Sequence, residues 1–414
     1  MSTKEDPIYL DYNATTPVAP EVVEAIADTL KNAWGNPSSK YDAGKKAKMV
    51  VETARKNVAE MIGAKESDII FTSGGTEGNN LVIHSAIQYY HDNNAVNSQN
   101  TTKRRKFLPH IITSNIEHDS IALPLKHLSE KGIVEVTFVP VSKQTAAIEV
   151  EEVMKEIQPN TSLISVMLAN NETGIIQPIS LLGKKIRQLN YQRSQLSSSL
   201  PPILFHTDAA QALGKIPVNV DDLHVDFLTV VGHKFYGPRV GALYFNSDKD
   251  KILYPMYFGG GQERSYRPGT ENVAMIAGLG KAAELIVRNL DIYQKNMTKS
   301  RDYLENKLKE AFGKLVSFNN CGKAERLPNT CSVAFTNNKI KGQDILEKTC
   351  TIQASVGAAC HSNNSKQSVL IASGIPIELA ESTLRLTTGR DTRDEDIDRA
   401  VSDLRKTVQN IYNL

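Results

Sequence analysis

The sequence predicts a large unit built on an open, mostly parallel α/β sheet, followed by a smaller C-terminal α+β unit. Three observations carry this. Short apolar, β-branched runs alternate with stretches of helical spacing. Most of those runs end in a polar or charged residue beside glycine or other turn residues, the pattern of strands whose carboxyl ends face a ligand. From about Gly278 the alternation gives way to one long helical stretch and then to mixed strands and helices. The expected division is residues 20–275 for the large unit and residues 1–19 with 276–414 for the small one.

Taken in order, residues 8–16 (IYLDYNATT) read as a short strand running into turn residues. Residues 20–34 have helical spacing, with Val22, Val23, Ile26, Leu30 and Ala33 on an apolar face. Gly35-Asn36-Pro37 breaks that helix, and a second amphipathic helix follows over residues 41–62. Ile69-Ile70-Phe71 is a buried strand leading straight into TSGGTEGNN and a helix over about residues 77–90. The polar stretch 92–106 ends in Lys103-Arg104-Arg105-Lys106; without another basic cluster it reads as a solvated loop rather than a nucleic-acid patch. A strand over 110–113 sets His118 on the loop before the next helix.

Further strands cover 134–139, 163–168 and 203–206. The second runs into ANNETG with Asn171, and the third into DAAQALG after Asp208, with Gln211. A Ser-rich linker, 192–202, separates them. Residues 227–231 form a buried strand that stops at Gly232, just ahead of His233 and Lys234. Past a Gly- and Arg-rich segment ending at Thr270, a long helix runs to Phe312 and LPNTCSVAF reads as a strand. The Cys360 segment, a helix from about Ile377, LRLTTGR with Arg385 and a terminal helix from Asp394 complete the chain.

The 48 basic and 46 acidic side chains nearly cancel, so nothing favours nucleic acid or an anionic membrane as partner. No apolar run has the length of a membrane span. The opening MSTKEDPIYLDYN has neither the charged-then-apolar design of a signal peptide nor an Arg-rich amphipathic stretch, and the expectation is a cytosolic protein. Cys321, Cys331, Cys350 and Cys360 form no CxxC pair, so reduced thiols are expected. The first three sit in unremarkable contexts and read as structural. Cys360 lies between Gly357-Ala358-Ala359 and a polar stretch, a setting in which a thiol can move to meet a substrate.

Lys234 is the pivot. A lysine at the end of a buried strand is costly unless it is neutral, paired or covalently used. Burial lowers its basicity, and a neutral amine attacks an aldehyde. One reading is therefore a Schiff-base lysine holding pyridoxal phosphate; the other is a lysine whose stem packs while its head reaches water. The first finds company along the chain. Asp208 can keep a pyridine nitrogen protonated, and His118 can stack on a ring. The helix start at Gly75 and Thr76, with His233, can hold a phosphate. A metal site on His118, His206 and Asp208 is disfavoured because no close ligand spacing repeats.

YLDYNATTP, GNPSS, FTSGGTE, EHDS, NNETG, HTDAAQ, GHKFYGP, GGGQERSYRPGTEN and ASVGAACHS together resemble the cysteine desulfurase/selenocysteine lyase family of fold-type I pyridoxal phosphate enzymes, class V aminotransferase-like. These motifs run from residue 9 to residue 390. SVGAACHS resembles the lyase branch, with Val356 and Ala358 where desulfurases carry serines; Gly78 departs from the family's usual Ser or Ala. The resemblance implies that Lys234 is the Schiff-base lysine, Asp208 pairs the pyridine nitrogen, Gln211 bonds the ring oxygen and His118 stacks on the ring. It implies a phosphate held by Gly75, Thr76 and His233, completed by Thr270 of the other subunit of a homodimer. Asn171 and Arg385 are expected to take the amino-acid carboxylate, as the guanidinium fork suits.

The implied reaction converts L-selenocysteine to L-alanine, with Cys360 at the leaving selenium and a reductant or acceptor protein receiving it. The alternative is a desulfurase passing sulfur from L-cysteine through a persulfide on Cys360. Transamination needs no mobile thiol, and a non-catalytic binding protein has no need of Lys234, Asp208 and Arg385 together.

Overall fold

In the large sheet, four- and five-residue strands alternate their side chains between two faces, and both faces are covered by helices. That is why the strands read as continuous apolar runs. The computed structural model describes residues 6–96, 108–195, 202–249, 251–319, 324–337, 339–356 and 369–412. Cys321, Cys360 and the basic run 103–106 lie outside the described residues.

The first strand is β1 (Ile8–Tyr9). The large sheet follows as β2 (Ile69–Thr72), β3 (His110–Ser114), β4 (Glu135–Val139), β5 (Thr161–Ser165), β6 (Leu204–Asp208), β7 (Phe227–Val231) and β8 (Gly241–Phe245). Their order is β2-β8-β7-β6-β5-β3-β4. Only β8 runs against its neighbours; every other adjacent pair is parallel. Ile69, Phe71, Ile112, Ile164, Phe205 and Leu228 point into one apolar cluster, while Ile70, Ile111, Leu163, Leu204 and Phe227 point into another on the opposite face. The parallel strands thus bring their carboxyl ends to one edge, as expected of this fold class.

The remaining strands are β9 (Val316–Phe318), β10 (Thr330–Phe335), β11 (Ile352–Gln353), β12 (Ser355–Val356) and β13 (Leu384–Thr387). Four of them form an antiparallel sheet in the order β12-β13-β10-β9, and β1 pairs with β11 in parallel. A third apolar cluster gathers Ile8 and Leu10 with Val333, Leu384, Leu386, Ile397 and Leu404, so the N-terminal strand packs with C-terminal elements. The 40-residue helix Val273–Phe312 contributes Ile276, Leu279 and Ala283 to the first cluster and Leu304 and Leu308 to this one.

Several expectations shift in detail. The first helix is Pro20–Asn32, and it buries Val22 while Val23 and Leu30 remain 52% and 62% exposed. Only part of its apolar stripe faces the core. The helix after β2 begins at Gly75, two residues earlier than its spacing suggested. The helix Ile179–Gln195 extends into the Ser-rich stretch, and the helix at Ile377 is one short turn, Ile377–Glu381.

Candidate active site

The sequence puts polar residues after five strands of the large sheet, and the sheet brings those residues together. Gly75 and Thr76 follow β2, His118 follows β3, Asn171 follows β5, Asp208 closes β6 and leads to Gln211, and His233 and Lys234 follow β7. All of these, with Arg385 of β13, line one cavity of about 260 Å3.

Lys234 ends a single helical turn, Gly232–Lys234, directly after β7. Its Nζ donates to the carbonyl oxygens of Asn13 at 2.9 Å and Ala14 at 2.8 Å. The turn that supplies these carbonyls is itself fixed to the lysine's turn, since Thr16 N–H donates to the His233 carbonyl at 2.9 Å. Burial, aided by the nearby positive charge of Arg385, lowers the Lys234 pKa to about 8 against the pull of Asp208. The head therefore does not simply reach water. It is an amine readily made neutral, which is the form that attacks a carbonyl carbon.

Asp208 is held at both oxygens: Oδ1 accepts from Ala210 N–H at 2.9 Å and Oδ2 from Asn79 Nδ2 at 2.8 Å. The same Asn79 nitrogen donates to Ser120 Oγ at 2.8 Å, and Ser120 Oγ lies 2.8 Å from His118 Nδ1. Ser120 N–H also donates to that Nδ1 at 3.1 Å. A ring nitrogen that accepts carries no proton, so neutral His118 bears its proton on Nε2. Behind it, complete burial raises the Glu117 carboxyl to about 8 despite the Ser114 hydroxyl and a bifurcated bond from Met167 N–H.

The anion cradle is the start of the helix Gly75–Val96, where backbone N–H groups lack intrahelical partners. A Cβ at Gly75 would stand 2.7 Å from Val231 Cγ2, so only glycine lets the helix start approach β7 this closely. His233 lies beside it, its pKa lowered to about 4 by burial and then by the charges of Lys234 and Arg239. Neutral, it offers a hydrogen bond rather than a charge.

Arg385 is no surface ion pair. It is 7% exposed and donates from Nη1 to Glu172 Oε1 at 2.6 Å and from Nη2 to Asp11 Oδ1 at 2.8 Å. Gln211 donates from Nε2 to the Asn13 carbonyl at 2.9 Å and accepts at Oε1 from the buried Lys215 at 2.7 Å. Burial, reinforced by Lys234 and Arg385, holds the Lys215 amine well below its usual value.

Thr270 is exposed and does not line the cavity of its own chain. Its segment is nevertheless specially shaped: Glu263, Arg264 and Ser265 all have left-handed φ of 45°, 56° and 67°. The Glu263 carboxylate accepts from Arg55 and from Phe71 N–H, while Arg267 Nε donates to Glu77 at 2.9 Å. The segment is thereby tied to the start of the cradle helix. Residues that sequence reasoning missed are Asn13, Asn79, Ser120, Glu172 and Lys215. Glu172 stood in plain view inside NNETG, and its neighbour Asn171 was the only signal that could have found it.

The family model Aminotransferase class-V matches residues 8–400. The chain belongs to the class V aminotransferase family. Selenocysteine lyase of Rattus norvegicus is 51% identical over 411 residues, covering 98% of the chain and 95% of that protein. Selenocysteine lyase of Homo sapiens is 50% identical over 417 residues, covering 98% and 93%. A solved structure described as a NifS-like protein superposes with a TM-score of 0.84 at 31% identity, covering 98% of the chain and all of that one. That structure shares the architecture described above.

Proposed function

We propose that the chain is a pyridoxal-phosphate-dependent enzyme that decomposes L-selenocysteine to L-alanine and releases selenium, as selenide when a reductant is present. The observation that carries this reading is Lys234, an amine with its pKa lowered to about 8 in a cavity shared with Asp208 and Arg385. The relatives named for that reaction, half identical over nearly the whole chain, support the choice of substrate.

The residues fit the cofactor by their chemistry: a depressed amine for its aldehyde, a fixed carboxylate for its ring nitrogen, and a glycine-gated helix start for its phosphate. Bound there, pyridoxal phosphate supplies the electron sink for bond breaking in the substrate. Lys234 would hold the cofactor's aldehyde through its amine and would move a proton at the substrate Cα. Asp208 keeps the pyridine nitrogen protonated, Gln211 donates to the ring oxygen, and His118 covers the ring face. Gly75, Thr76 and His233 hold the phosphate, together with Thr270 of the partner subunit.

Asn171 and Arg385 bind the substrate carboxylate, and Cys360, outside the described residues, acts at the selenium. The working assembly is a cytosolic homodimer. Val23, Leu30, Trp34, Tyr41 and Met49, on and beside the first two helices, are exposed large apolar side chains, which supports a covered surface in that region. Residues 20–275 form the cofactor-binding unit, and residues 1–19 with 276–414 the smaller one.

Alanine release from selenocysteine and from cysteine, assayed side by side, tests the reading. Wild type is expected to turn over selenocysteine readily and cysteine scarcely, and Lys234→Ala and Cys360→Ala are expected to lose the selenocysteine reaction. Equal turnover of both substrates would make the chain a desulfurase, and an active Lys234→Ala variant would overturn the assignment of the amine.

A further inference from the structure

The two groups proposed to bind the substrate carboxylate are held by the same atom. Glu172 Oε1 accepts from Asn171 Nδ2 at 2.8 Å and from Arg385 Nη1 at 2.6 Å. Asn171 and Arg385 line the cavity, whereas Glu172 is buried behind them at 4% exposure. Asp11, the other carboxylate on Arg385, also takes the Ser355 hydroxyl at 2.7 Å but bonds Arg385 alone of the two donors. We infer that Glu172 is a positioning residue whose one oxygen, Oε1, aligns Asn171 and Arg385 as one receptor for the α-carboxylate of an amino acid.

The donor inventory supports this. A carboxylate oxygen can only accept, so it fixes which end of the Asn171 amide turns toward it and keeps the amide from flipping. That contact uses one N–H of Asn171, and the other remains for a ligand. Arg385 carries five N–H donors in a rigid fork. Its Nη1 and Nη2 are engaged by Glu172 and Asp11, while Nε is buried and has no partner among the described residues. Glu172 Oε2 is likewise buried and without a partner among the described residues, so both donors are held by Oε1 alone. An incoming carboxylate finds two convergent, restrained donors instead of two long mobile side chains, which lowers the ordering cost of binding.

This inference rests on the proposed reading that Asn171 and Arg385 meet an amino-acid carboxylate. The test uses cofactor-loaded protein and follows the cofactor absorbance during titration with L-alanine, which has the carboxylate, and with ethylamine, which lacks it. Glu172→Ala is expected to weaken L-alanine by about tenfold to a hundredfold, the scale of a misplaced binding group, with cofactor loading and ethylamine affinity unchanged. Glu172→Gln keeps an accepting oxygen and is expected to restore L-alanine affinity to within a few fold of wild type. Glu172→Asp, which withdraws the oxygen by one methylene, replaces the alanine variant if that one fails to fold and is expected to show the same selective loss. Unchanged L-alanine affinity in Glu172→Ala, equal loss of both ligands, or a glutamine variant as weak as the alanine one would overturn the role. If Arg385→Gln also leaves L-alanine affinity unchanged, the carboxylate site itself is wrong, and the failure lies in the underlying reading.

Discussion

A largely buried amine beside a guanidinium gives up its proton more readily than one in water, and the consequence is measurable before any turnover. Only the neutral amine captures an aldehyde. The rate at which cofactor-free protein takes up pyridoxal phosphate should therefore rise with pH and reach half its plateau near the Lys234 pKa of about 8. Arg385 opposes the charged amine and Asp208 favours it. Arg385→Gln should thus move the midpoint up, and Asp208→Asn should move it down, both read from the growth of the bound-cofactor absorbance. A midpoint at the ordinary lysine value, or one that ignores both substitutions, would show that the cavity does not tune this amine. At this scale the sequence was legible where a chemically loud residue closes an apolar strand, as at Asp208 and Lys234. It was silent on Asn13, because an uncharged residue in a turn gives no sign that its carbonyl meets a lysine 221 positions away.

Helix packing offers two glycines with opposite expected behaviour. A Cβ on Gly280, in the long helix, would stand 2.5 Å from Ala54 Cα and 2.6 Å from Ala54 Cβ, where the second helix crosses it. Backbone cannot step aside there, so Gly280→Ala should destabilise by about 1–3 kcal/mol in urea unfolding, although alanine is the better helix former. On Gly78 the added carbon meets the Thr229 methyl at 3.3 Å. A side chain can yield a few tenths of an ångström, and the gain in helix propensity of about 1 kcal/mol should leave Gly78→Ala within about 1 kcal/mol of wild type. Equal effects at both sites would contradict this contrast. The strands and most helices were readable from periodicity, because burial on both sheet faces leaves unbroken apolar runs. The inward face of the first helix was not. Spacing records which residues are apolar but not which surface covers them, and Val23 and Leu30 remain uncovered within the chain.

For the whole molecule, the proposed contribution of Thr270 across a subunit boundary predicts complementation. Neither Thr270→Ala nor Lys234→Ala homodimers should have an intact site. A mixed dimer collects both lesions in one site and leaves the other whole, so mixing the subunits should restore activity. Mixed dimers shown to form yet to remain inactive would count against a shared site. The chain's connectivity has a further consequence, concerning its birth. The turn that holds Lys234 is bonded to the last strand of the small sheet, Asn13 N–H donating to Thr387 Oγ1 across 374 residues at 3.1 Å. Asn13 Nδ2 reaches Thr330 Oγ1 of β10 at 2.9 Å as well. A nascent chain emerges at about 5–20 residues per second, so the span between these partners takes about 20–75 s to synthesise at that pace. All strands of the large sheet are complete by Phe245, well before Thr387 leaves the ribosome. Asn13 must wait for Thr387, and the finished lysine pocket arrives only after β13 has been made.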